Sequence, residues 1–454
     1  MVTILGYLLV ATFMVLVIKQ KLSPFTGLIA VSLGVGAALC LLTGQPLTNL
    51  LVWMKEGIFY TQHTNGKIGL GTVNPTLMIL FAILYFSLMM NVGLFDPLCA
   101  WLIRRANGDP LKITLATFIT AAAVTLDGDG TTTIIIMTTA FVPLYRQMGM
   151  KLSNLAMLII LPFGLGNCLP WGGPLARAAA VLQLDVNDLF ITLLPVLGIS
   201  FIYVAAVAFI MGKKERVRLG YEPGSHGIVS REDVDTMVAR IHDHHQELKR
   251  PRLLWLNLLL TAVLLVCLMS GLVSGAMAFL VGTALALMLN YTVPEQRQRL
   301  IANGGDAIAV ASIIVAAGCF LGVFRGSGMA AAVAQHLASL IPASMGSHSA
   351  ILLAFLSIFA LYALPLDAYY FGVLPVIAPI AHSYGITPTE IGIASVMGQA
   401  LRHASPTVAW LYLLMDRTEM SFWGYQKTFF KWSLPIQAIF IVVAIITGQL
   451  PTGL

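Results

Sequence analysis

The chain has 454 residues, of which 58% are hydrophobic and only 10% charged, with a mean hydropathy of +0.86. Soluble domains carry about 25% charged residues, so the composition excludes a soluble globular class and indicates a polytopic membrane protein. The net charge of +6 does not indicate a nucleic-acid partner, because most Lys and Arg lie in short loops between apolar segments, as the positive-inside rule describes.

Residues 1–18 are apolar but lack a basic n-region and an A-x-A site, so they read as a retained first span. Residues 25–42 form the second span, after the basic turn Lys19-Gln20-Lys21. A polar link follows through Asn74, then a third span over 75–94 whose continuation ends at Arg104-Arg105. Residues 113–125 and 134–144 flank Leu126-Asp127-Gly128-Asp129-Gly130-Thr131-Thr132-Thr133. Each arm, with its ends, is roughly 15 residues or about 22 Å of helix, more than half of a ~30 Å hydrocarbon core but too short to cross it. A polar tip on two such arms reads as a re-entrant hairpin, which must line a protein or water-filled cavity because lipid cannot satisfy it.

The segment 155–182 is interrupted by a Gly/Pro-rich run over 166–174, and 189–211 is a further span. Residues 213–252 form the only long hydrophilic piece, where Ser230-Arg231-Glu232-Asp233 resembles a capping box opening a helix through Leu248. Its His242, His244 and His245 read as a solvated face rather than a metal site. Spans over 253–271, 273–289 and 307–324 come next, then a small-residue stretch over 326–341. Residues 351–364 and 371–381 flank Pro365-Leu366-Asp367 as a second hairpin. Residues 391–415 are broken over 398–406, and 434–446 is the last span.

Placing 213–252 in the cytoplasm puts Lys19, Lys21, Arg104, Arg105, Lys112, Arg146, Lys151, Arg297, Arg299, Arg417, Lys427 and Lys431 there too. Only Lys55, Lys67 and Arg325 fall outside, with Arg177 and Arg402 left in the membrane region. Both termini then lie on the external side, with about ten spans and two hairpins. The five cysteines (Cys40, Cys99, Cys168, Cys267, Cys319) lie in apolar stretches and read as buried small hydrophobes without a disulfide framework.

The halves repeat. Gly166-Asn167 and Pro174 match Gly398-Gln399 and Pro406 at one constant offset, and Pro143 and Gly149 match Pro379 and Gly385 at a slightly different one. The first half starts outside and the second inside, which makes an inverted-topology repeat. Its parts are 1–212 (hairpin 111–150, broken helix 155–182), a cytoplasmic linker 213–252, and 253–454 (hairpin 350–383, broken helix 391–415).

Each break gives a half-helix start, at Pro174 and at Pro406, with Gly172 and Gly173 allowing close backbone approach and Ser405 a suitable N-cap. Two such starts facing each other suit an anion. An ordinary Pro/Gly kink is the bland alternative. Arg177 and Arg402 sit in these breaks and each requires a carboxylate partner, either on a ligand or from Asp127, Asp129 or Asp367. His403 can carry a proton near neutral pH or be an ordinary hydrogen-bonded histidine. Asp127 and Asp129 read as a proton or cation site, able also to offer oxygens to Mg²⁺ or Ca²⁺, and Asp367 is a further candidate for the coupling proton or cation; the rest of an EF-hand loop is absent. Thr131, Thr132 and Thr133 either cap the second arm or offer hydroxyls to a ligand. Asn167, Gln399 and Ser405 complete the hydrogen bonding. Tryptophans and methionines elsewhere read as lipid-facing or packing residues. The sequence shows no nucleophile elbow, P-loop or zinc-binding His pair.

The hairpin tip over 126–133, the break over 166–174 and its counterpart over 398–406, with the order of spans over nearly the whole chain, resemble the ion transporter superfamily. The closer resemblance is to the citrate–divalent metal:proton symporter family. The dicarboxylate branch of the superfamily has Ser-Asn-Thr at both hairpin tips. Here the tips are acidic, which argues against a simple sodium-coupled dicarboxylate carrier. The resemblance implies an all-α elevator-type transporter, a transport domain moving against a dimeric scaffold in the cytoplasmic membrane. It also implies proton-driven symport of citrate complexed with Mg²⁺, Ca²⁺ or another divalent ion, with no resident cofactor and no enzymatic activity. The residues alone leave two alternatives. In a cation/proton antiporter, Asp127 and Asp129 bind the cation and Arg402 is structural. In an intramembrane hydrolase the two Asp do chemistry, although such enzymes place them on separate facing helices.

Overall fold

The computed structural model describes residues 1–62, 68–222, 246–340, 346 and 348–452. The hydrophilic linker's expected capping-box helix and its three histidines lie outside the described residues, apart from a short 3-10 turn at Gln246–Leu248.

The first half contains α1 (Val2–Ile18), α2 (Pro24–Thr43), α3 (Thr48–Phe59), a ribbon of β1 (Tyr60–Gln62) and β2 (Ile68–Leu70), α4 (Val73–Asn91) and α5 (Asp96–Ala106). The strands are antiparallel, with Thr61 opposite Gly69. Then come the first hairpin, α6 (Pro110–Val124) and α7 (Gly130–Gln147), the broken pair α8 (Leu152–Gly166) and α9 (Gly173–Leu182), and α10 (Val186–Arg218). The second half has four helices before its hairpin, without a ribbon among the described residues: α11 (Leu254–Ser270), α12 (Gly275–Asn290), α13 (Val293–Gly326) and α14 (Met329–Leu340). Its hairpin is α15 (Ser349–Ala363) and α16 (Leu374–Ser383), joined by a turn of helix at Leu366–Ala368 and a π-helical turn at Tyr369–Val373. The broken segment is α17 (Pro388–Val396), α18 (Gln399–Arg402) and α19 (Ala409–Arg417), and α20 (Phe422–Ile446) ends the set.

Among the described helices, 7 are long and apolar enough to cross a membrane; α1 and α12, at 17 and 16 residues, are apolar but shorter. The third span does not continue to Arg105 as expected. Gly93 takes a left-handed φ of +79°, and α5 then starts afresh with Pro97 in its first turn. The small-residue stretch over 326–341 contains α14. The polar link before Asn74 folds as α3 and the ribbon. All five cysteines are free, four of them buried.

Helix starts follow local chemistry. Reciprocal capping boxes, Thr292 with Glu295 and Thr387 with Glu390, open α13 and α17. Asp109 caps α6, its Oδ1 accepting from the Leu111 N–H at 3.0 Å. Its two oxygens also accept from Arg216 Nε and Nη2 at 2.8 and 2.5 Å, which ties the first hairpin to the end of α10. Burial pushes the Asp109 carboxyl up, but the bonds from Arg216 and Leu111 outweigh it and hold the carboxyl below its ordinary value.

Two groups of helices pack most closely. In one, α4 packs on α12, and α13 packs on α2, α3 and α4. In the other, α6, α8, α10 and α20 surround both breaks, with α17 and α18 against the second hairpin. The first body is knit by backbone approach. A Cβ on Gly322 would meet the Trp53 carbonyl oxygen at 2.0 Å, and one on Gly57 would meet that of Gly318 at 2.0 Å. Only glycine fits there, because helix backbone cannot retreat as a flexible side chain would. Gly322→Ala is expected to lose about 1–3 kcal/mol of stability, the usual range for overpacking, read as a lower melting temperature of the detergent-solubilised protein. An unchanged melting temperature would show that α3 and α13 separate freely.

Candidate functional site

The two breaks and the two hairpin tips meet around one cavity of about 310 Å³. Its lining includes Asp129, Asn167, Gly173, Arg177, Arg402 and His403, so the residues brought together come from both halves.

The first break matches the expectation. Gly172 is the N-cap of α9, and Pro174 stands in its first turn. The Gly172 N–H donates to Leu169 O at 2.8 Å, and a Cβ on Gly172 would lie 2.0 Å from the Asn167 carbonyl oxygen. The first hairpin tip docks on this turn: Trp171 Nε1 donates to Leu126 O at 2.9 Å.

The second break corrects the expectation. The half-helix starts at Ala409, with Val408 as its N-cap residue, not at Pro406 behind a Ser405 cap. Ser405 Oγ instead accepts from Arg402 Nη1 at 3.2 Å and from the Thr407 N–H at 3.2 Å, and pairs with Thr407 Oγ1 at 2.8 Å. The chain after Arg402 therefore wraps its hydroxyls around the guanidinium before helix can resume. Of the two expected partners for Arg402, a protein carboxylate is not found among the described residues, which leaves the ligand alternative. Arg402 Nη1 donates to Leu361 O at 2.5 Å, Leu364 O at 3.0 Å and Thr407 Oγ1 at 3.1 Å. These carbonyls close α15, where a helix carries its partial negative charge and its unpaired acceptors.

Arg177 does find a carboxylate: its Nε donates to Asp367 Oδ1 at 2.7 Å, across from one half to the other. Its Nη1 folds back to Gly173 O at 3.0 Å, in space that a Cβ on Gly173 would invade at 2.8 Å.

The two aspartates of the first tip are used differently. Asp129 lines the cavity and is also the N-cap of α7, its Oδ2 accepting from the Thr132 N–H at 2.6 Å. The cap is therefore Asp129 and not a threonine. Asp127 is buried outside the cavity lining and accepts from Ser87 Oγ of α4 at 3.4 Å. Among the described residues, no three His, Cys, Asp or Glu gather as a metal-ligand group.

His403 packs between Phe163 and Trp410, with ring centroids 5.4 and 5.1 Å away, and neither ring nitrogen has a hydrogen-bond partner among the described residues. The hydrogen-bonded alternative is thus not found. Gln399 stands one layer back, its Nε2 donating to Tyr370 OH at 3.2 Å while its buried Oε1 is unpaired. Gly172, Gln399, Ser405, Asp127 and Asp367 support the lining without joining it, and Thr131 and Thr132 fall outside it, Thr132 facing a separate apolar cavity beside α4 and α5. Phe163, Trp171 and Trp410 line the cavity, so two tryptophans read as lipid-facing or packing residues belong to the site. The available signal was position: Trp171 lies inside the first break, and Trp410 lies just after the second.

Gly172→Ala would push the Asn167 carbonyl out of the tight turn. The expected loss is about 1–3 kcal/mol, measurable by thermal unfolding. A fully stable variant would mean that the turn relaxes.

A family model described as "Citrate transporter" matches residues 3–398. A Bacillus subtilis protein named "Citrate transporter" is 39% identical over 99% of both chains. Another from the same organism, named "Mg(2+)/citrate complex secondary transporter", is 36% identical, again over 99% of both. Among solved structures, the Alcanivorax borkumensis YdaH transporter superposes with a TM-score of 0.53 at 12% identity, covering 93% of this chain and 100% of that one. That last likeness is one of fold.

Proposed function

We propose that this chain, which belongs to the citrate transporter family and is an integral membrane protein, is a proton-coupled symporter of citrate complexed with a divalent metal. The observation that carries the reading is the polarity of the cavity. Two guanidinium groups and the α9 N-terminus lie against the second hairpin, and Asp129 lies on the first. A citrate–metal complex has carboxylates for the former and a cation for the latter. The relative named for a Mg²⁺/citrate complex supports this cargo. The metal travels as part of the substrate.

In this reading Arg402 and Arg177 orient the carboxylates, with Asn167 and Thr407 completing the hydrogen bonding. Asp129 faces the metal side, and carboxylates of the hairpin tips take the coupling proton. The two inverted repeats, 1–212 and 253–454, each supply one hairpin and one break. The body built around the breaks moves against the body built on α4 and α13, as an elevator. Homodimers form through the latter. The protein sits in the cytoplasmic membrane with both termini outside and the linker 213–252 inside, following its lysines and arginines.

Radiolabelled citrate uptake into liposomes, with metal and pH gradient varied independently, tests the whole reading. Uptake should require a divalent ion together with an inward proton gradient. Arg402→Ala should reduce uptake at least about tenfold, the effect of roughly 1.4 kcal/mol of lost interaction. Arg402→Lys, which keeps the charge without the fork, controls for folding. Citrate-independent cation/proton exchange would establish the antiporter alternative instead.

A further inference from the structure

The ion pair between Arg177 and Asp367 joins an element of each half at the cavity. Arg177 and Asp367 are 7% and 14% exposed in their side chains, and the contact is 2.7 Å. Arg177 lines the cavity, whereas Asp367 lies behind it, its neighbour Leu366 forming the wall. A guanidinium that an incoming carboxylate needs is therefore already held by a carboxylate of the protein.

Building on the symport reading above, we propose that Asp367 is the proton-coupling residue and that coupling is an exchange at Arg177. A carboxylate of the metal–citrate complex replaces Asp367 on the guanidinium, and the displaced Asp367 takes up one proton from water. Two carboxylates compete for one cation, and the loser is left buried and uncompensated unless it is neutralised. Charge is conserved through the step. Arginine and carboxylate are paired before it; afterwards arginine is paired with the substrate, and Asp367 is a neutral acid.

The groups facing Asp367 fit this sequence. Arg177 comes from α9, and Arg402 acts on Asp367 from the end of α18. Arg402 is committed to the Leu361 and Leu364 carbonyls, and so does not follow Asp367 when Arg177 changes partner. Tyr370 lies one turn on and bonds Gln399. The helix α1, which also packs on this tip, carries no charged side chain. The tip has room to rearrange, because a π-helical turn follows it directly at Tyr369–Val373.

Binding of magnesium citrate to the purified full-length protein, measured calorimetrically in buffers of different ionisation enthalpy, reads the protons taken up. The wild type should take up about one proton per complex, so its affinity should weaken by about tenfold per pH unit as pH rises, at pH values where citrate is fully ionised. Asp367→Asn should bind the complex without proton uptake and with affinity flat in pH, whereas Asp188→Asn, an exposed acid in the first turn of α10 outside the site, should keep the wild-type uptake. Infrared difference spectra of the wild type should show a protonated-carboxyl band on adding the complex, a readout that stands even if Asp367→Asn fails to fold. Wild type that binds the complex with neither proton uptake nor that band overturns the exchange, as does folded Asp367→Asn that binds the complex with the wild-type proton uptake. Folded wild type that binds no magnesium citrate overturns the symport reading as well.

Discussion

A guanidinium buried among apolar helices must be met by acceptors, and the architecture of this protein follows from where two of them are met. Arg402 is held by the carbonyls that close α15 and by the Ser405 and Thr407 hydroxyls, and Arg177 is held by Asp367 just beyond α15. Both cations converge on one stretch, residues 361–367. The stop in the second hairpin is thus a receptor for positive charge: a helix end supplies unpaired carbonyls, and a carboxylate follows within a turn. A continuous helix through Leu364 would consume the carbonyls that Arg402 uses. The hairpin and the second break therefore need each other.

The tip of the first hairpin is held by hydrogen bonds, with no ion pair among the described residues. Trp171 reaches Leu126 O, Asp129 caps its own helix, and Ser87 touches Asp127 at 3.4 Å. The two tips occupy matched places in the chain and both are acidic, but Asp367 of the second is paired with Arg177 whereas Asp129 of the first has no cation partner among the described residues, and that difference polarises the cavity between them. A symmetric pair of tips would present like chemistry to both ends of a substrate. This pair presents cations at one end and an acid at the other, the arrangement expected when cargo carries both signs.

Spacing along the chain revealed the repeated motif, both hairpins and both breaks, because Gly, Pro and hydroxyl residues interrupting apolar runs have few other readings in a membrane protein. It did not reveal how the second break folds. Ser405-Pro406 has the local chemistry of a helix start, and the start is displaced to Ala409 by a tertiary demand, the coordination of Arg402. Nor could composition distinguish Trp171 and Trp410 from lipid-facing tryptophans, since an indole looks alike on either surface until its neighbours are known. The partner of Arg177 was one of several acids that sequence offered, and only the packing of α9 against the second tip selects Asp367.

The contrast between the two bodies bears on how such a site could be exposed to each side of a membrane in turn. Within the frame of α3, α4, α12 and α13, backbones approach so closely that glycine is required at Gly57 and Gly322. Such interfaces do not slide, because any shift drives backbone into backbone. Between the frame and the site body the named polar ties are sparse: Ser87 to Asp127, and Arg325 to the Val181 carbonyl near the end of α9. Each is a hydrogen bond to a group that water or a neighbouring acceptor can satisfy, with a net worth of only about 0.5–3 kcal/mol. Apolar side chains supply the rest of that joint, and apolar contact is non-directional, so it can be re-formed in a shifted register. The protein therefore concentrates its directional bonding inside each body and leaves the boundary between them the part most easily moved, which is the mechanical requirement of the elevator motion proposed above.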